Sequence, residues 1–317
     1  MSSSTSKRKG LTSLIPVLIK KLLLIFLILS PILLFFAVSP IFYLSDPERK
    51  APWVSWYSDP HQRAYVSWET EEETKGKVQF GTDATNLDKV VLENEERTIH
   101  HVDLTGLTPD TKYYYQVVID GEMFGGGEFK TAPVKLEEFS FGMISDTQQT
   151  LGPGHHFRVA EAIKDKKWAF LTNVGDLVDD GNDKRHYDNY FKVGSTYMDT
   201  IPFVPVLGNH DNRKPSFFYD YFVNREDREL FYYSFNYSSV HVQVCQFTYG
   251  RESEMTSAQM EWMEQDLKRA QALPFRIVLF HCPIIGSSFF GRNELLEARV
   301  QPLMEKYDVS AVISGHE

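Results

Sequence analysis

From residue 51 to about 133, apolar and polar positions alternate in short runs: Trp53–Tyr57, Ala64–Trp68, Lys77–Phe80, Lys89–Leu92, His100–Leu104 and Tyr113–Ile119. A period of two over four to eight residues predicts half-buried strands, and Asp59-Pro60, Gly81-Thr82-Asp83 and Asp120-Gly121 supply the turns between them. The rhythm is that of a seven-stranded antiparallel sandwich. Leu107-Thr108-Pro109-Asp110-Thr111-Lys112-Tyr113 reads as the corner before the sixth strand, where the Tyr113 hydroxyl returns to upstream backbone. Gly125–Gly127 read as a hairpin turn, and His100-His101 as residues ahead of a strand with no catalytic part. A plain scaffold is expected here, with a wall beside a substrate pocket as the functional alternative.

The texture changes at Phe139. Apolar runs now end in polar clusters and are followed by helical stretches. Phe139–Ile144 ends in Ser145-Asp146, Ala169–Val174 in Gly175-Asp176, and Phe203–Leu207 in Gly208-Asn209-His210-Asp211. Two more complete the set: Ile277–Phe280 ends in His281-Cys282-Pro283, and Val309–Ile313 in Ser314-Gly315-His316-Glu317. Open α/β sheets gather ligands at the carboxyl ends of their strands, so the five clusters are expected to converge on one site.

Before both regions stands an uncharged run, Leu22–Leu44, whose 23 residues reach roughly 34 Å as a helix, enough to cross a bilayer core. Lys7, Arg8, Lys9, Lys20 and Lys21 precede it, so the positive-inside bias leaves residues 1–21 in the cytoplasm and exports the body. An uncleaved anchor is favoured. Secretion after cleavage near Ala37-Val38-Ser39 is the alternative, disfavoured by Pro40 directly after the cut. Residues 51–317 hold 26 basic against 41 acidic residues, a net charge of -15. That field repels phosphate backbones, so nucleic-acid binding is not expected. Cys245 and Cys282 are the only cysteines, read as two buried thiols, with a single bridge left open. Asn236-Tyr237-Ser238 fits a glycosylation sequon.

The clusters carry hard oxygen donors from Asp and Asn mixed with imidazole nitrogen. That set suits two divalent or trivalent transition ions better than Ca²⁺ or a thiolate-bound Zn²⁺. Asp176 can offer one oxygen to each ion, and Gly175, Gly208 and Gly315 let the backbone turn where a Cβ would crowd the site. Each cluster alone has an ordinary reading, since an Asp at a strand end often caps a turn or helix and a lone His often sits satisfied in a core. Five in this order make coincidence the weaker account.

Asp146, Gly175-Asp176, Gly208-Asn209-His210-Asp211, His281 and Gly315-His316 together resemble the calcineurin-like metallophosphoesterase signature. The preceding sandwich, read as immunoglobulin- or fibronectin-III-like, makes the chain similar to purple acid phosphatases over residues 51–317. Phe231-Tyr232-Tyr233-Ser234-Phe235 and the stretch from Gln259 to Leu267 add to the likeness. The resemblance implies a fibronectin-III-like domain over 51–133 and a four-layer α/β (α+β) metallophosphoesterase domain over 135–317. It implies two metal ions, iron with zinc, manganese or a second iron. Asp146 would bind the first, Asp176 would bridge both, and Asn209, His281 and His316 would serve the second. Metal-bound or bridging hydroxide would attack phosphorus, while His210 stabilises the phosphoryl oxygens or protonates the leaving alkoxide and Asp211 orients the imidazole.

Three departures qualify the likeness. A tyrosinate is expected three residues after Asp176, where Asp179 stands, so no purple charge-transfer band is expected. Asp179 either serves the first metal or caps a helix beside Asp180-Gly181. A His is common two residues after Asp146, where Gln148 stands as an oxygen ligand or a partner for water. Finally, a second His is implied two residues beyond His316, and the expectation is therefore of a domain incomplete at its C-terminus.

His155-His156, after Gly152-Pro153-Gly154, and His186 are read as surface or capping residues before substrate contacts. Tyr219, Tyr221 and Phe222 are read as core before pocket lining. The substrate implied is a phosphate-ester small molecule or a phosphoprotein, with phosphomonoester hydrolysis first because His210 supplies a proton donor. Phosphodiester or nucleotide hydrolysis is the nearest rival. A non-catalytic surface protein with a degenerate site is the alternative from a different class.

Overall fold

The computed structural model describes residues 50, 52–148, 154–214, 216–222, 231–287 and 291–317. The expected anchor at 22–44 and the Gly152-Pro153 step lie outside the described residues. Among those described, no helix is long and apolar enough to cross a membrane.

The sandwich has seven strands: β1 (Trp53–Ser55), β2 (Ala64–Thr74), β3 (Gly76–Gly81), β4 (Lys89–Leu92), β5 (Arg97–Leu104), β6 (Lys112–Ile119) and β7 (Glu122–Lys130). One layer runs β4-β3-β6-β7 and the other β5-β2-β1. Inward positions such as Val66, Trp68, Val78, Val102, Leu104 and Val117 are buried, as period-two patterning requires. The Tyr113 hydroxyl accepts the Thr108 N–H at 2.9 Å, closing the corner before β6.

Two sequence readings need correction here. Gly125–Gly127 are not a turn; they lie inside β7 opposite β6, and the hairpin turn is Asp120-Gly121, with φ of 51° and 88°. The glycines answer close approach instead. A Cβ at Gly125 would stand 2.5 Å from Pro52, one at Gly126 2.4 Å from the Tyr115 carbonyl, and one at Gly127 2.0 Å from the Asp199 carbonyl. Secondly, His100 and His101 lie within β5, where His100 pairs with Glu93 at 2.7 Å and stacks on Trp68 at 4.5 Å.

The remainder folds as β8 (Gly142–Ile144), α1 (His155–Ile163), β9 (Leu171–Val174), α2 (Lys184–Gly194), β10 (Phe203–Val206), α3 (Phe218–Tyr221), β11 (Tyr233–Tyr237), β12 (Val240–Val244), α4 (Ser257–Arg269), β13 (Phe275–Leu279), α5 (Glu294–Arg299), α6 (Gln301–Lys306) and β14 (Ala311–Ile313). The five strand runs do not form one open sheet. β8, β9 and β10 lie in one sheet, while β13 and β14 lie in a second, ordered β11-β12-β13-β14. Strands β9, β10 and β12 are buried at every position because both faces are covered.

The sheets meet through Phe170 against Phe235 at 5.6 Å and through the Tyr233 hydroxyl, which donates to the Pro205 carbonyl at 2.8 Å. Helix α2 covers the first sheet's outer face, with Phe191 4.3 Å from Trp53. On the second sheet, Met263, Leu267, Leu296, Val300 and Met304 from α4 to α6 cluster with Val278 and Phe280. The sandwich is also not a detached module. β1 pairs in parallel with β10, Ser55 opposite Phe203, giving a six-stranded sheet ordered β5-β2-β1-β10-β9-β8.

Candidate metal centre

The five polar clusters leave strands of both sheets at their carboxyl ends and meet between them. Three of their residues hold left-handed backbone without being glycine: Asp146 and Asp176 at φ 54° and His316 at φ 73°. Such conformations cost of order 1–3 kcal/mol each and persist where surrounding structure imposes them. The neighbouring glycines clear the space. A Cβ at Gly175, φ 88°, would stand 2.5 Å from His281 Nδ1, and one at Gly208 would stand 2.3 Å from Asp176 Oδ1. At Gly315 it would stand 1.9 Å from Ser145 Oγ.

The fully buried His281 defines one half of the centre. Its Nδ1 donates to the Val174 carbonyl at 2.8 Å, which leaves the Nε2 lone pair facing inward. Around Nε2 stand Asn209 Oδ1 at 3.1 Å, Asp176 Oδ2 at 3.2 Å and His316 Nδ1 at 3.2 Å. The ligand atoms of Asp176, His281 and His316 all lie within 4.8 Å of one another. With the ring neutral, four acceptors thus converge on one point, an arrangement that a shared cation satisfies, as a proton on Nε2 does in its absence.

Without an ion, the electrostatics draw a proton to this point. Burial opposes charge on His281, but the hydrogen bond and charge of Asp176 outweigh it and lift the imidazole above its ordinary range. Burial likewise opposes charge on Asp176, yet His281 holds its carboxyl below the usual range. His316 is pushed down by burial and by His281.

Asp146 joins this group through its carboxylate, which accepts the His316 backbone N–H at 3.0 Å and the Ser145 hydroxyl. Gln148 is buried, and its amide NH₂, turned toward acceptors, donates to the carbonyls of Asp176 at 2.9 Å and Asp146 at 3.2 Å. It therefore ties the two Asp loops together. The helix-capping reading of Asp179 is displaced, since Asp183 caps α2 by accepting the Arg185 N–H. The Asp179 carbonyl stands 2.8 Å from His210 Nδ1. The His210 Nε2 lies 3.9 Å from Asp176 Oδ2, at the open side of the cluster.

Asp211 does not orient His210. Its buried carboxylate turns the other way and accepts the backbone N–H groups of Leu177 at 3.0 Å, Val178 at 3.2 Å and Gly208 at 2.9 Å. The loop that carries Asp176 is thereby pinned to the loop that carries Asn209. Burial and the charge of Asp176 push the Asp211 carboxyl upward, with the amides pulling against them.

Several partners had no sequence signal, above all the carbonyls of Val174 and Asp179, which any residue supplies. Arg213, with its guanidinium 3.2 Å from His210 Nδ1, and Tyr249, with its hydroxyl 3.3 Å from the Asn209 carbonyl, were also missed. Arg213 sits in the same polar run as the Asn209 cluster, which is a usable hint. Of the weaker candidates, His156 is core rather than surface, bonded to the Tyr197 hydroxyl at 3.0 Å and stacked on Tyr190. His186 accepts the Asp180 N–H, and Tyr221 and Phe222 are core. Cys245 and Cys282 are free buried thiols, so no bridge forms.

The family model for calcineurin-like phosphoesterase matches residues 139–317, and that for the purple acid phosphatase N-terminal domain matches residues 51–135. Purple acid phosphatase 18 of Arabidopsis thaliana is 26% identical over 292 residues, covering 83% of this chain and 63% of that protein. The Fe(3+)-Zn(2+) purple acid phosphatase 12 of the same plant is 26% identical over 249 residues, 69% of this chain and 50% of that one. Purple acid phosphatase PPD1 from yellow lupin (Lupinus luteus) seeds shares the fold, with a TM-score of 0.67 at 18% identity over 84% of this chain and 57% of its own. The chain thus spans between half and two thirds of the length of these relatives.

Proposed function

The chain belongs to the calcineurin-like phosphoesterase family, and from that premise we propose that it hydrolyses phosphate monoesters at a two-metal centre built on Asp176. The observation that carries this reading is the convergence of Asp176, Asn209, His281 and His316 lone pairs on one point, with His210 at its edge. Iron with zinc, manganese or a second iron suits these donors; bound ions supply Lewis acidity and a water of lowered pKa.

The protein's own groups do the rest. The Val174 carbonyl fixes the His281 ring, so a ligand lone pair is presented without reorganisation. Asp176 Oδ1 is held by the His210 N–H at 2.8 Å, which leaves Oδ2 directed into the cluster. With Nδ1 of His210 donating to the Asp179 carbonyl, Nε2 is the nitrogen that faces the cluster, and in the imidazolium form it hands its proton to a leaving alkoxide. Asp179 occupies the position of the colour-giving tyrosinate, so the iron-loaded protein is expected to lack a purple band. The substrate is a phosphorylated small molecule or phosphoprotein. The body lies outside the cytoplasm, tethered through residues 22–44, a reading supported by the basic residues that precede them.

Elemental analysis paired with aryl mono- and diester assays tests this reading. About two equivalents of metal and faster monoester turnover are expected, with Asp176→Asn and Asn209→Ala both inactive but folded. Under one equivalent of metal, or diester turnover alone, would overturn it.

A further inference from the structure

We propose that Asn236 carries an N-linked glycan whose first sugar packs into the pocket beside it. Asn236-Tyr237-Ser238 is the only Asn-X-Ser/Thr triplet in the sequence, and the phosphoesterase reading leaves it without a role. The structure puts Asn236 where a sugar can be carried. It is exposed, near the end of β11, and β11 is an edge strand of the second sheet.

The amide is also oriented. Asn236 Oδ1 lies 2.7 Å from His241 Nδ1, and the other nitrogen of that ring lies 2.8 Å from Asp266 Oδ2. His241 and Asp266 are buried, so the oxygen end of the Asn236 amide is anchored inward and Nδ2, the atom that bears the sugar, faces out. Beside it opens a pocket of about 520 Å³ whose walls include Asp59, His61, Arg269, Phe235 and Leu273. A lining that combines charged groups with apolar carbons matches a pyranose ring, which offers hydroxyls at its rim and C–H groups on its face. A sugar there would also block pairing of the exposed strand edge with another chain.

Ser238 has a structural use that explains its presence without a sugar. Its hydroxyl donates to the carbonyls of Lys135 and Glu137 and accepts the Glu137 N–H at 2.8 Å. These bonds form only once the chain folds, so the hydroxyl is free when sugar is transferred to the emerging chain. The donor is an activated lipid-linked oligosaccharide. The bond from sugar C1 to the pyrophosphate oxygen breaks with its electron pair leaving on oxygen, the C1–Nδ2 bond forms, and one amide proton is released. The proposal rests on the extracytoplasmic placement of the body, not on its catalytic activity.

The test is the full chain made in a eukaryotic secretory host and treated with a peptide-N-glycosidase. One glycan should be removed, converting Asn236 to Asp in the peptide mass. Asn236→Gln should abolish the shift and Ser238→Thr should keep it. Glu96→Thr, which puts the exposed Asn94 into a triplet of the same kind, serves as control. A glycan at the control site with none at Asn236 overturns the proposal; none at either site overturns it together with the extracytoplasmic placement. Phosphatase activity of Asn236→Gln should stay within about twofold of the parent, so failure of the catalytic reading is seen separately. Packing of the sugar should raise Tm above that of Asn236→Gln by a few degrees, and equal Tm values would refute the pocket contact.

Discussion

Asp211→Asn separates two roles for the same residue, because an Asp that orients His210 and an Asp that pins two loops fail differently. The carboxylate collects three backbone N–H groups inside the protein. With the Asn oxygen kept toward Leu177 and Val178, its NH₂ meets the Gly208 N–H, donor against donor. That loses one charge-assisted bond, worth about 1.5–3 kcal/mol, and weakens the two that remain. Against this, the substitution removes a buried negative charge that Asp176 disfavours. The net expectation is a loss of about 3 kcal/mol, or roughly 4–6 °C in Tm for a chain of this size. Thermal unfolding with and without metal measures it, and a metal titration should show weaker binding because the Asp176 and Asn209 loops are no longer tied. At saturating metal, kcat should stay within about threefold of the parent, since the Asp179 carbonyl still holds His210. Unchanged Tm and metal affinity with kcat down a hundredfold would refute the reasoning and return Asp211 to the role of orienting His210.

Gly175→Ala should drive the added Cβ into His281, 2.5 Å away, and strain a φ of 88°, at about 1–2 kcal/mol for the backbone alone; elemental analysis should then find about one metal equivalent fewer, and undiminished metal would refute it. Arg213→Ala removes a half-exposed guanidinium 3.2 Å from His210, so KM for a phosphomonoester should rise about three- to tenfold with a smaller change in kcat, and steady-state kinetics at two ionic strengths checks both. His156 is held down to about 3 by burial and by His155. Its folded pKa lies below the unfolded 6.5, so the unfolded state takes the proton first: stability is complete above pH 6.5 and falls as pH drops toward 3, by about 2 kcal/mol at pH 5. His156→Gln should flatten that part of the curve measured by denaturant unfolding, and a parallel curve would count against the burial argument.

The elements were legible where one face of a strand is wet. Alternation in β2, β3, β5 and β6 marked the sandwich, and the turn chemistry around Thr108–Tyr113 marked the corner that Tyr113 closes. The apolar runs themselves did not show that they divide between two sheets, which only the four-layer resemblance implied, because β9, β10 and β12 are buried on both faces and a uniformly apolar run carries no sign of its neighbours. Gly125–Gly127 misled because their cause is the approach of Pro52 and Asp199, both distant in sequence. At the centre, strand-end spacing predicted that the clusters converge, and the family resemblance implied which side chains would meet. Neither could reveal that Asp211, adjacent to His210, faces the opposite loop, since side-chain direction there is set by a turn whose amides need an acceptor.

The sandwich contributes to the centre through backbone support rather than chemistry. Its β1 hydrogen-bonds β10, the strand that delivers Asn209 and His210, and its Tyr115 hydroxyl and Glu128 N–H both bind the Asp199 carbonyl just before that strand. Farther along, His101 reaches the Asp220 carbonyl at 2.8 Å, and Glu69 accepts the Tyr221 hydroxyl and pairs with Lys184 of α2. These contacts lie on both chain segments flanking the Gly208–Asp211 turn, and none touches the converging ligand atoms. A rim that shaped substrate choice would instead show sandwich side chains at His210 or Tyr249. The described contacts therefore favour a brace that fixes where β10 ends, so that Asn209 meets His281 within 3.1 Å.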